Sequence, residues 1–334
     1  MKRIFSRRFN DLFLVLFIAW CPQALSAQSP EKVSSVSLIF AGDIVLDDTA
    51  GAMIERGEDP FSGLAAVFAG ADIRIGNLEC VVATTGSAGR KNFTFRAHPR
   101  TLPVLKRHFD AVALANNHSG DYGRGAFAQM LGLLQQAGLA QFGGGHNLSQ
   151  AHTPFIIERK GLRIALLSYS EFMPRSFEAD SNSPGIAWSE DEQVVEDIRK
   201  ARAVHGANLV IPVMHWGWEN EPTSNARQRQ LARLMIDAGA DAVIGGHPHV
   251  TQETAQYKGK PIIYSVGNFV MKETDNPEQR RGWVLRMQLD EQGVSHFDTV
   301  AVNIDMEGIP QRNRNAASPC WHRGETDARL CTPD

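Results

Sequence analysis

The sequence predicts a layered α/β fold, and three observations predict it. Short apolar runs alternate with segments of helical length from about residue 36 to residue 302, the pattern that builds sheets covered by helices. Apolar runs end repeatedly in polar side chains, namely Asp43, Glu79, Asn117 with His118, His215, and His247 with His249. In open α/β sheets, sites collect at the carboxyl ends of strands. Finally, the buried-strand pattern Ala242-Val243-Ile244 runs into Gly245-Gly246 and then His247-Pro248-His249. That places two imidazoles on a stiffened loop, and imidazole is a common ligand for divalent metals.

In chain order, Val36 to Ala41 reads as the first strand, ending in Gly42-Asp43. Asp59-Pro60 opens a helix to about Phe68, because proline is tolerated in a first turn and aspartate caps it. Asp72 to Gly76 is the second strand, ending in Asn77-Leu78-Glu79, and Thr84 to Arg90 is a loop. Leu102 to Phe109 is a short helix, Asp110 to Ala115 a strand ending in Asn116-Asn117-His118, and Gly125 to Ala137 a helix. Gly143-Gly144-Gly145 reads as a flexible loop without dinucleotide-binding spacing. Pro154 to Arg159 and Leu162 to Ser168 alternate as a hairpin across Lys160-Gly161. Glu190 to Val204 is a helix, acidic first and basic last, and Asn208 to Met214 a strand ending in His215-Trp216-Gly217. Ala226 to Ala238 is a helix with Leu231, Leu234 and Met235 on one face. After the glycine–histidine stretch, Pro261 to Val266 is a strand ending in Gly267-Asn268, and Trp283 to Leu289 with Val294 to Val302 form terminal antiparallel strands.

The first 27 residues read as a secretory signal peptide. Lys2, Arg3, Arg7 and Arg8 precede the apolar run Leu12 to Trp20, which is short for a bilayer span, and Ala24 to Ala27 offers small residues for cleavage. Bulky Trp20 argues against lipidation at Cys21, and Asn10-Asp11 against a twin-arginine signal; retention as an anchor is the alternative to cleavage. The mature protein is therefore expected in the periplasm or cell envelope. The chain carries a formal charge of −3, and losing the basic leader makes it more acidic still, which excludes an electrostatic case for nucleic acid. Residues 28–305 are expected to form one domain, followed by a polar tail, 306–334, in which Cys320 and Cys331 suit a small disulfide loop. Cys80 is expected as a buried free thiol.

Two carboxylates, an asparagine amide and several histidines match a two-metal site, for which Mn, Fe or Zn would serve. Two cations about 3.5–4 Å apart can stabilise the attacking and leaving oxygens of a displacement at phosphorus. His118 is placed to protonate a leaving group. Asn116 and Asn77 are expected to brace loops, Trp216 and Trp218 to pack, and Asn268 is a weaker candidate for the site. Arg96 and His98, in Phe-Thr-Phe-Arg-Ala-His-Pro, either face an anionic substrate or sit in a solvated loop. His108, His146, His152, His205 and His296 are read as unconnected with the site.

Gly-Asp at 42–43, Asn-Leu-Glu at 77–79, Asn-Asn-His at 116–118, His-Trp-Gly at 215–217 and Gly-His-Pro-His at 246–249 together resemble the CapA capsule-synthesis family. Tyr-Ser-Val-Gly-Asn-Phe at 264–269 adds to the likeness. These are poly-γ-glutamate biosynthesis proteins, and the resemblance implies a four-layer, calcineurin-like metallophosphatase sandwich of mixed sheets flanked by helices. It implies that Asp43 and His249 bind a first metal, that Glu79 bridges, that Asn117, His215 and His247 bind a second, and that His118 is the acid. The implied substrate is an anionic polymer or phosphoester, acted on by a metal-dependent hydrolase beside capsule-synthesis membrane proteins. The alternative is a non-catalytic factor that assists polymer export. One departure stands out: the phosphatase Asp-x-His motif here reads Asp43-Ile44-Val45, so the first metal lacks a histidine, for which Asp47 is a substitute only if it leaves the following loop or helix.

Overall fold

Residues with alternating inward and outward faces build two sheets, and the sheets are stacked. A computed structural model describes residue 1 and residues 35–172, 175–272 and 274–332. The leader lies outside the described residues. Everything below concerns the unit Ser34–Asp334.

The first sheet is built around β1 (Val36–Ile44). On one side β1 runs parallel to β2 (Ile73–Leu78), which is followed by β3 (Ala111–Ala113) and β4 (Ala140–Phe142). Helices α1 (Asp48–Glu55), α2 (Leu102–His108) and α3 (Gly123–Gln136) lie along this part of the chain. The second sheet holds β5 (Phe155–Arg159), β6 (Leu162–Ser170), β7 (Leu209–His215) and β8 (Val243–Gly246). It continues through β9 (Thr254–Tyr257) and β10 (Lys260–Ile263). Its helices are α4 (Asp191–Ala203) and α5 (Ala226–Ala238), the latter started by an Asn225–Gln228 capping box. The chain then returns to the first sheet as β11 (Asn268–Val270), β12 (Arg281–Asp290) and β13 (Gly293–Ile304), with β12 antiparallel to β1.

The buried residues sort into three apolar layers. Leu38, Phe40, Ile73 and Ile75 meet Ile164, Leu166, Ile211 and Ile244 between the sheets. Ile39, Ala41 and Val112 pack outward on Ile54, Leu105, Phe127 and Met130 of the first helices. Leu167, Val210 and Met214 pack on Val194, Ile198, Leu231 and Met235 of α4 and α5. The order helix, sheet, sheet, helix is the expected four-layer sandwich.

The structure corrects three local expectations and bears out a fourth. The 59–68 segment is not one helix: Asp59 turns the chain by accepting from the Phe61 amide (3.0 Å), and only Ser62–Leu64 and Ala65–Phe68 are helical. Asp47 lies, as expected, where the chain enters the following helix, capping α1, and is no ligand substitute. Gly144–Gly145 is not a free loop but pairs with Gly185–Ile186. The strand expected over Pro261–Val266 ends at Ile263, and the chain crosses between sheets before pairing Asn268 with Asp43. In the C-terminal segment, β14 (Ser318–His322) and β15 (Arg329–Cys331) extend the first sheet, and Cys320 is joined to Cys331. Cys80 is buried and free, its thiol pushed up to about 12 by burial.

Candidate metal centre

The carboxyl ends of β1, β2, β7 and β8 bring the polar residues together. Two glycines make the approach feasible. A Cβ on Gly42 would stand 1.9 Å from the Gly267 carbonyl oxygen, and one on Gly246 2.9 Å from Asp43 Oδ1. The close backbone contacts behind Asp43 therefore tolerate no side chain.

Asp43 is fully buried and accepts from Asn77 Nδ2 (2.8 Å) and, at 3.3 Å, from the His247 amide. Burial raises its pKa, but the hydrogen bond to His249 and the charges of His215 and His249 outweigh burial and hold it low. Asn77 Oδ1 accepts from Asn116, whose own oxygen takes the His118 amide, so both asparagines brace loops as expected.

His215 Nε2 has three close neighbours: Asn117 Oδ1 at 2.7 Å, His247 Nδ1 at 3.0 Å and Glu79 Oε1 at 3.3 Å. One ring nitrogen cannot satisfy all three with a single proton. Glu79 is fully buried, yet neither carboxylate oxygen has a hydrogen-bond partner, and His247 Nε2 is likewise buried without one. A buried carboxylate that accepts no hydrogen bond is costly, and orphaned ligand atoms converging on one spot fit a cation. Glu79, His215 and His247 each offer a ligand atom within 4.8 Å of the others, and so do Asp43, Glu79 and His249. The two triplets share Glu79, which is the arrangement a carboxylate between two cations requires.

The histidine loop is strained: His247 and His249 have φ of 96° and 58°, unusual for non-glycine residues. Such strain persists where the surroundings over-determine it, as at ligand clamps. The two imidazoles are pulled in opposite directions. Burial and the neighbouring His215, His249 and His118 push His247 well below the usual range. Burial also lowers His249, but Glu79, Asp43 and Asn268 outweigh it and raise the ring to about 10. His249 Nδ1 is held by Asn268 Oδ1 at 2.8 Å, which leaves Nε2 toward Glu79 at 3.9 Å. Asn268 thus orients a ligand-capable ring, as partners behind ligands generally do.

Beside this cluster lies a cavity of about 560 Å³ lined by His118, His249, Glu219, Phe93, Phe95 and Lys272, among others. His118 Nδ1 is 2.7 Å from Asp121 Oδ2, and its ring packs on Phe95 at 4.3 Å between centroids. Asp121 is buried, takes the Phe95 amide at 2.6 Å and pairs with Lys91. Sequence reasoning missed Asp121 and Glu219; for Asp121 the only signal is its place three residues after His118. Arg96 is not among the residues lining this cavity. Its guanidinium lies 4.3 Å over the Tyr122 ring and donates to the Thr85 and Gly86 carbonyls.

Residues 37–273 match the family described as bacterial capsule synthesis protein PGA_cap. The chain belongs to this family, the CapA family. It is 31% identical over 301 residues to the PGA biosynthesis protein CapA of Bacillus subtilis, covering 88% of this chain and 78% of that one. It is 28% identical over 317 residues to the capsule biosynthesis protein CapA of Bacillus anthracis, covering 89% and 75%. Both alignments span the strand ends described above. Among solved structures, a hypothetical protein from Thermus thermophilus superposes with a TM-score of 0.52 at 15% identity, over 80% of this chain and 98% of that one. That likeness concerns the fold alone, the four-layer, calcineurin-like sandwich of mixed sheets flanked by helices. Among the described residues, no helix is long and apolar enough to cross a membrane.

Proposed function

We propose that this CapA-family protein is an exported metal-dependent hydrolase of capsule or poly-γ-glutamate biosynthesis, acting on a phosphoester or an anionic polymer such as a γ-linked glutamyl chain. The observation that carries the reading is Glu79: a buried carboxylate with both oxygens unsatisfied, between two groups of ligand atoms. Asp43, Glu79 and His249 would hold one divalent cation, and Glu79, Asn117, His215 and His247 a second. Bound there, two cations supply Lewis-acid polarisation of the attacked bond and stabilise the charge that develops on it. The protein's own groups do the rest. Asn77 and Asn268 fix the orientation of Asp43 and His249. With Nδ1 tied to Asp121, His118 keeps Nε2 for giving a proton to a leaving group in the cavity.

Elemental mass spectrometry of the mature chain beside a Glu79→Ala/His247→Ala double variant tests this. About two metals per chain, lost in the variant together with hydrolysis of bis-p-nitrophenyl phosphate or poly-γ-glutamate, is the expected result. No metal after reconstitution with Mn²⁺, Fe²⁺ or Zn²⁺ would overturn it. A second reading, a non-catalytic factor assisting export of an anionic polymer, draws on Val45. It stands where the phosphatase motif has a histidine and is buried in the core. That reading requires polymer binding to survive chelation.

A further inference from the structure

The loop after β7 carries an acid that the family motifs do not explain. Glu219 is exposed and lines the cavity, with ligand atoms of Glu219, His247 and His249 all within 4.8 Å of one another. Among the described residues, no hydrogen bond or ion pair engages its carboxylate. The position is built rather than accidental. The next residue, Asn220, adopts φ of 66° and donates its amide to the Pro248 carbonyl at 2.8 Å, locking this loop onto the histidine loop. Asn220 Oδ1 in turn accepts from Asn276 and Gln279, which pins the turn from the other side. An independent sign of a missing ligand is His247 Nε2, fully buried and without a partner.

We infer that Glu219 is a metal ligand, closing the centre on its cavity side between the two imidazoles its carboxylate approaches, His247 and His249. The inference rests on the two-metal reading above and adds to it a chemical consequence. Besides the carboxylate added by Glu219, Asp43, Glu79 and His249 offer two carboxylates and one imidazole at the first position, while the second offers two imidazoles, an amide and the shared carboxylate. Oxygen-rich sets suit Mn²⁺, and nitrogen-rich sets suit Zn²⁺. The two positions therefore differ in preference, the first for the harder ion.

The test is metal binding, read by calorimetric titration of chelator-treated full-length mature protein with Mn²⁺ and separately with Zn²⁺. Wild type, Glu219→Ala, Glu219→Gln and Glu219→His are compared. Because Glu219 is exposed, circular dichroism is expected to be unchanged in all four. The expected result is that Glu219→Ala and Glu219→Gln weaken one Mn²⁺ site by at least about tenfold and leave the other intact. Glu219→His is expected to recover that site for Zn²⁺ more than for Mn²⁺. Two undisturbed Mn²⁺ sites in Glu219→Ala would overturn the inference while leaving the two-metal reading standing. No metal binding by wild type would overturn that reading and the inference with it.

Discussion

Glu79 and Asp121 are both buried carboxylates, but their surroundings give them opposite fates. Asp121 takes a backbone amide, an imidazole and Lys91, whereas neither oxygen of Glu79 accepts a hydrogen bond and it faces only the rings of His215 and His249, at 3.3 and 3.9 Å. A buried carboxylate that accepts no hydrogen bond destabilises the chain until a cation binds it. Glu79→Gln is therefore expected to raise the melting temperature in EDTA by a few degrees, about 1–2 kcal/mol. The same variant should gain nothing from added Mn²⁺, whereas wild type gains about 2.7 kcal/mol at a hundred times its Kd. Differential scanning calorimetry in both buffers decides. His118 sits outside both ligand triplets, so His118→Ala should keep its metal yet lose about 10²–10⁴-fold in turnover, measured on metal-loaded protein.

At the scale of elements, the end of the sandwich away from the site is held by Asp72. Its Oδ2 accepts from the Ser37 amide (2.9 Å), the Ser37 hydroxyl (3.0 Å) and Lys160 Nζ (2.7 Å), joining the start of β1 to the turn between β5 and β6. Burial raises this carboxyl, but Lys160 and Ser37 outweigh burial, so its pKa is lower folded than unfolded. The stability it confers is thus full above about pH 4, the unfolded value, and fades as acid protonates the folded form. Asp72→Asn should cost about 1 kcal/mol at pH 7, and the difference from wild type should vanish near pH 2, followed by urea titration at several pH values. Elements of strong period were legible in the sequence: the β5–β6 hairpin, α4, α5 and the β12–β13 pair fall where alternation or helical spacing puts them. What was not legible depended on tertiary partners. Helix α1 begins at Asp47, which also reads as a spare acid, and the C-terminal strands sit in a polar stretch from which Trp321 alone enters the core between the sheets.

Across the whole molecule, the sequence showed that strand ends carry ligand-type residues but not how far apart they lie. Asp43, Glu79, Asn117, His215, His247 and His249 do converge, since parallel strands of two stacked sheets bring their carboxyl ends to one edge. Glu219 escaped because its neighbourhood is created by loop-to-loop hydrogen bonds such as those from Asn220 to Pro248 and from Gln252 to Glu221. Arg96 was legible as a cation but not as one already stacked on Tyr122.

The position of β1 between β2 and β12 also sets a timetable. β1 is among the first parts of the fold to be translated, yet Val36 pairs with Leu289 and Ala41 with Val284. One flank of the strand that carries Asp43 stays bare until nearly the whole chain has been made. Pairings this distant fold slowly, and an open strand edge invites aggregation meanwhile. A chain ending at Asp275 is accordingly expected in the insoluble fraction on expression, not as a smaller folded protein. For this topology, completion of synthesis comes before completion of the fold, and a chain threaded unfolded through a narrow passage would have nothing to undo.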